Sequence, residues 1–185
     1  MEMIEEHLMK PTTVNRRETA HEVYWSPLPA GTLQVNVDAA LFSSSRRMGA
    51  GVVVRDHNDA FVAACGDIYP EVTVPELVEA MAIRLALSFS KDEGLHGLIV
   101  ATDCLSVVQR IQNVERDRST VGSVIVDIKK MSAEFRSFKF IHVRRGQNAD
   151  AHVLARSCES ISNSVWRGVS PNLIRETICI DSMFV

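Results

Sequence analysis

The chain has 185 residues, 46% of them hydrophobic and 23% charged, with a formal net charge of −3. That length suits one globular domain with tails, and the acidic balance excludes a dedicated polynucleotide binder whose affinity rests on neutralising many phosphates. No apolar run is long enough to span a membrane, and the opening "MEMIEEHLMK" is acidic and lacks the apolar core of a secretory signal.

Residues 1–30 are polar and without a convincing period. They read as an N-terminal tail closed by the Pro-containing linker "SPLPAG" (26–31). "LQVNVDAA" (33–40) alternates Leu33, Val35 and Val37 against Gln34, Asn36 and Asp38, which predicts a strand with one apolar face, ending at Asp38. "GAGVVVRD" (49–56) and "AFVAACG" (60–66) predict two more strands, with "HND" as the hairpin turn between them. Three strands with short links predict an antiparallel meander.

The period then lengthens. "VPELVEAMAIRLALSFSKDEG" (74–94) predicts a helix, with Pro75 suited to its first turn. "GLIVATD" (97–103) predicts a buried strand, "CLSVVQRIQ" (104–112) a helix, and "VGSVIVDIKKMSAEF" (121–135) a further helix with Val124, Ile128 and Met131 on a stripe. "FKFIHV" (138–143) predicts a strand and "NADAHVLARSCESIS" (148–162) a last helix. The fold class is α/β, a five-stranded mixed sheet of three antiparallel strands and two further strands, flanked by helices. The domain is expected over 31–165, with 166–185 as a C-terminal extension. Cys65, Cys104, Cys158 and Cys179 lack zinc-type spacing and read as reduced thiols. An intracellular monomer in nucleus or cytoplasm, without a membrane partner, is expected.

Carboxylates stand where chemistry is often found. Asp38 and Asp103 come at predicted strand ends and Glu79 in the helix between them, positions that a sheet fixes while leaving them open to solvent. Each has an ordinary structural alternative. Asp103 would cap the helix beginning at Cys104, and Glu76 competes with Glu79. In the last helix, Asp150 and His152 compete for one role. Two residues on a helix correspond to a rotation of roughly 200°, so the two cannot face the same way. Ala151, Leu154, Ala155 and Cys158 form the predicted buried stripe, and Asp150 follows the expected cap Asn148 in the first turn, where the helix dipole favours negative charge. On that reading Asp150 is structural and His152 faces the site.

The sequence "NVDAA", "GAGVVVRD", "EAMAIRLAL", "ATDCLSVV" and "FIHVRRGQNADAHVLA", in this order, resembles the type 1 ribonuclease H domain. More closely, it is similar to plant ribonuclease H-like domains related to the reverse transcriptases of non-LTR retroelements. The likeness runs from about Trp25 to about Asp181. The resemblance implies a ribonuclease H-like fold and a two-metal nuclease that cuts the RNA strand of RNA–DNA hybrids, with Mg²⁺ or Mn²⁺ as cofactor. It assigns catalytic and metal-holding roles to Asp38, Glu79, Asp103 and His152. Two of these stretches depart from the family pattern. Cys104 stands where a serine is usual, and His152 where an aspartate is usual, so the site carries three carboxylates and a histidine. Imidazole suits softer divalent ions better than Mg²⁺. His142 is a weaker candidate near the departing product, its alternative being a structural strand histidine.

The resemblance also implies partners, an RNA–DNA hybrid or other nucleic acid read by shape and 2′-hydroxyls. Backbone at Gly49 and Gly51 would approach the RNA where no Cβ obstructs. Arg46, Arg47, Arg144 and Arg145 would meet phosphates, the alternative being ordinary surface arginines. "IQNVERDRSTV" (111–121) lacks the basic handle of some relatives. Two functions follow: a metal-dependent hybrid nuclease, or a weakened or inactive retroelement-derived module that binds nucleic acid or protein. A nucleotide-binding α/β domain is excluded, because "GAG" lies between two strands and no Walker lysine is present.

Overall fold

The computed structural model describes residues 28–114, 117–161 and 163–175. The tail expected over residues 1–30, together with Cys179 and the end of the C-terminal extension, therefore lies largely outside the described residues. The elements are β1 (Leu33–Phe42), β2 (Arg47–Arg55), β3 (Phe61–Pro70), α1 (Pro75–Asp92), β4 (Gly97–Thr102), α2 (Leu105–Gln112), α3 (Thr120–Ser132), β5 (Ser137–His142), α4 (Ala149–Ile161) and β6 (Ser164–Arg167). A 3-10 turn (Arg145–Asn148) leads directly into α4.

The sheet order is β5-β4-β1-β2-β3-β6. β1 runs antiparallel to β2, β2 to β3, and β3 to β6. β1 runs parallel to β4, and β4 to β5. The sheet thus has six strands, not five. β6 passes residue 165, and Ile174 beyond it is fully buried. The missed strand is four residues long, too short to establish a period of its own.

Helices cover both faces. Val35 and Val37 of β1 point to the layer of α1, α2 and α3, where Ile83, Leu87, Val107, Ile125 and Ile128 join one large core. α1 lies close to the sheet because Ala80, Ala82 and Ala86 keep its inner face low. The opposite face of the central strands is covered by α4, whose buried stripe of Ala151, Leu154, Ala155 and Cys158 matches the sequence reading. Leu154 packs there with Val53, Ala64 and Ile174. Among the described residues no helix is long and apolar enough to cross a membrane.

β1 does not end at Asp38. Its pairing with β2 continues to Phe42, opposite Arg47, while its pairing with β4 stops at Asn36, opposite Ala101. Asp38 therefore sits inside a strand that has just lost its neighbour on one side. The parting of β1 and β4 opens the sheet edge at the carboxylate.

Candidate active site at the parting of β1 and β4

Side chains two apart on a strand share a face, so Asn36 and Asp38 both point toward α4 while Val35 and Val37 point into the main core. The start of α4 is anchored to this polar strip. Asn148 is completely buried and donates from Nδ2 to the Val37 carbonyl at 2.9 Å. Asn36 donates from Nδ2 to the Gln147 carbonyl at 2.8 Å and to Asn148 Oδ1 at 3.2 Å. Asn148 is thus a clamp between β1 and α4 rather than a helix cap, because the preceding turn already continues the helix on its N-terminal side. Its partners on β1 lie 111 and 112 residues away in sequence, so no local pattern announces it.

The clamp fixes the register of α4 and brings His152 to Asp38. His152 Nδ1 lies 2.6 Å from Asp38 Oδ2, and Arg145 Nη2 lies 3.2 Å from His152 Nε2. Asp150 faces elsewhere. It is buried against Arg55, whose Nη2 donates to Asp150 Oδ2 at 2.7 Å. His152 is thus the α4 side chain that meets Asp38, and Asp150 lies in a buried ion pair with Arg55. That pair, not the helix dipole alone, anchors Asp150.

At the opening Glu79 feels the charges of Asp38 and Asp103, and Asp38 that of Asp103. Glu79 is on α1 with Ala82, Ile83 and Ala86 at the spacings that share one helix face, and that face turns to the sheet. Its carboxyl is pushed up to about 8, first by burial and then by Asp38 and Asp103, with Arg145 acting in the other direction. Burial likewise raises the Asp38 carboxyl above its usual range. The His152 hydrogen bond opposes that effect and Asp103 adds to it. Glu79 and Asp38 each feel Asp103, so β1, α1 and the end of β4 deliver their acids to one place. Glu76, the competitor, is taken by Arg110, which donates to it at 2.8 Å. Asp103 does not cap α2: Cys104 occupies the cap position without a side-chain capping bond, and its own amide donates to Thr102 Oγ1 at 3.2 Å.

As they stand, the side chains do not close around an ion. Among the described residues no three His, Cys, Asp or Glu side chains gather at metal-holding distance. The donor set still fits a hard divalent cation, since a cation offsets both the burial and the acidic neighbours that raise the Glu79 carboxyl. Asp38, Glu79 and Asp103 would hold it.

The remaining expected residues divide. Arg145 reaches the site, a role the sequence did not separate from phosphate binding. Arg144 and His142 are exposed nearby, His142 at the end of β5 opposite Thr102. Arg46 is exposed in the β1–β2 turn with φ 50°. Arg47 is spoken for, its Nη2 lying 3.3 Å from Glu159 Oε1 on α4. Gly49 and Gly51 do not face a ligand. They are buried under α4, where a Cβ on Gly49 would stand 2.3 Å from the Ala155 carbonyl oxygen and one on Gly51 2.5 Å from that of Ala151. Their missing side chains let the helix backbone approach β2. Asn36 is the site neighbour that sequence reasoning passed over, although its place two residues before Asp38 on the same strand face was a usable signal.

Comparison with solved structures gives the same architecture. RNase H1 from the halophilic archaeon Halobacterium salinarum NRC-1 is 20% identical and covers 71% of this chain and 99% of its own, with a TM-score of 0.65. The N-terminal RNase H domain of a Mycobacterium tuberculosis protein is 18% identical over 70% of this chain and 94% of its own, with a TM-score of 0.63. LC11-RNase H1 in complex with an RNA/DNA hybrid is 20% identical over 70% of this chain and 99% of its own, with a TM-score of 0.61. No curated protein matches the sequence. Those likenesses establish the type 1 ribonuclease H fold; a plant origin finds no support among them. The family described as reverse transcriptase-like matches residues 36–158, and the chain belongs to that family.

Proposed function

We propose that this protein binds RNA–DNA hybrids and hydrolyses the RNA strand with the help of a divalent cation, Mg²⁺ or Mn²⁺. The observation that carries the reading is the placing of Asp38 where β1 and β4 part, with burial raising both the Asp38 and Glu79 carboxyls, Asp103 adding to the effect at Asp38, and Asp38 and Asp103 adding to it at Glu79. Carboxylates that His152 and Arg145 compensate only in part are gathered at a cost in electrostatic free energy, and a cation-dependent reaction is the chemistry that uses such a gathering. The cation, when bound, supplies charge stabilisation for a phosphodiester and activation of water. The chain's own residues orient and hold. Asp38 presents its carboxylate from a rigid strand, the Asn36–Asn148 clamp fixes α4 against that strand, and the exposed Arg144 offers a charge to a backbone phosphate. A bound hybrid is read through its shape rather than its sequence.

A second reading is favoured by one observation: both ring nitrogens of His152 are engaged within the protein. On it the chain is a retroelement-derived module that binds nucleic acid or protein and no longer cuts. A labelled RNA–DNA hybrid incubated with Mg²⁺ and, separately, Mn²⁺ decides between them. The nuclease reading expects cleavage confined to the RNA strand and lost in Asp38→Asn. Cleavage unchanged in Asp38→Asn, or none with either ion, rejects it.

A further inference from the structure

Arginine has five N–H donors and no acceptor. The Arg145 nitrogen 3.2 Å from His152 Nε2 can therefore only donate, and Nε2 must offer its lone pair. The ring proton is then on Nδ1, 2.6 Å from Asp38 Oδ2, where it is donated to the carboxylate. The other arrangements fail at the same contact. A ring with its proton on Nε2 would set an N–H against the N–H of Arg145.

Neither nitrogen has a lone pair left for an ion. We propose that His152 is a positioning residue and not a metal ligand: engaged by Arg145 at Nε2 and by Asp38 at Nδ1, it holds the Asp38 carboxylate, which would help hold the cation. This rests on the metal-dependent reading above and departs from the expected set of four ligands. Arg145 acts on Glu79 as well as lying against His152.

Two measurements on the full chain test this. In metal-free, ¹⁵N-labelled protein, two-bond proton–nitrogen correlation reads the His152 tautomer directly. The expected result is the Nδ1–H pattern in the wild type and its loss in Arg145→Met, with the other histidines unmoved. An Nε2–H pattern in the wild type overturns the proposal. Calorimetric titration with Mn²⁺ alone reads the second half. His152→Asn keeps an N–H for Asp38 but has no imidazole lone pair, and His152→Ala keeps neither. The expected result is Mn²⁺ affinity roughly tenfold weaker in His152→Ala, with recovery to within about twofold in His152→Asn. Equal weakening in both variants makes the imidazole a ligand and overturns the proposal. Should the wild type bind no Mn²⁺, the metal-dependent reading fails, and the Nδ1–H pattern decides by itself whether His152 holds Asp38.

Discussion

Arg55 on β2 and Asp150 on α4 form an ion pair, Nη2 to Oδ2 at 2.7 Å, in which both side chains are almost completely shut off from water. Arg55 also meets Asp59 in the β2–β3 turn through Nη1, at 3.0 Å and 3.1 Å. One guanidinium thus ties a helix, a strand and a hairpin together, and burial of its charge is compensated by the two carboxylates.

Asp150→Asn accordingly tests more than a helix dipole. Read as a first-turn residue, Asp150 would lose about 0.3–1 kcal/mol on neutralisation. Read as half of a buried pair, its loss leaves Arg55 under-compensated and costs on the order of 3 kcal/mol. Urea unfolding distinguishes the two sizes. Hybrid cleavage by the folded fraction is expected to survive, because the side chain faces away from Asp38. A loss below 1 kcal/mol would mean that Asp59 alone compensates Arg55.

Glu79 predicts how stability depends on pH. Its carboxyl is raised from the ordinary 4.5 to about 8, so between those values the folded protein binds more protons than the unfolded chain. Without divalent ions, stability is therefore expected to decline as pH rises through that window. Glu79→Gln should flatten the decline and be more stable than the wild type at pH 8, by up to about 4 kcal/mol, with little difference near pH 4.5. Thermal unfolding in a chelator at several pH values measures this. A variant less stable than the wild type at pH 8 would show the carboxylate ionised and paired, with Arg145 as its partner.

Gly51→Ala is expected to cost about 1–3 kcal/mol by overpacking and to damage the site as well. The added Cβ would press on the Ala151 carbonyl oxygen and the Ala155 amide nitrogen, both at 2.5 Å and both backbone atoms that no rotamer change can move. The helix must shift, and with it the Asn148 clamp and His152. Chemical denaturation measures the first effect, and loss of the His152 tautomer signature the second. Unchanged values for both would mean that α4 rides on β2 with slack.

The order of elements was legible because most of them are long enough to show their period, and so was the α4 register, since Ala151, Leu154, Ala155 and Cys158 fit one helical face and exclude Asp150 from the face of His152. The strand that carries Asp38 was legible, but its end was misplaced: β2 keeps pairing to Phe42, and pairing is not a local property. The role of Gly49 and Gly51 was misread for a related reason. A glycine in a strand signals close approach of something, and only the fold tells whether that is a ligand or the backbone of a helix one hundred residues later. The partners of Asp150 and Asn148 are likewise distant, so their burial left no mark on the neighbouring sequence.

His152→Asp brings these threads together. The substitution removes the N–H donated to Asp38 and sets a fourth carboxylate against a group that already repels Asp103. Arg145, freed from the imidazole, compensates in part. In chelator at neutral pH the variant is expected to be less stable than the wild type by on the order of 1–2 kcal/mol, since like charges placed side by side disfavour the folded state. Mg²⁺ should reverse the order. The new carboxylate adds an oxygen donor that the wild-type side chain does not supply, so the rise in melting temperature on adding Mg²⁺ should be larger for His152→Asp than for the wild type. Cleavage of a hybrid with Mg²⁺ should rise with it. A variant stabilised in chelator would place residue 152 outside the repulsion of the acidic cluster. A variant destabilised in chelator and indifferent to Mg²⁺ would leave the carboxylates gathered for some purpose other than holding a cation.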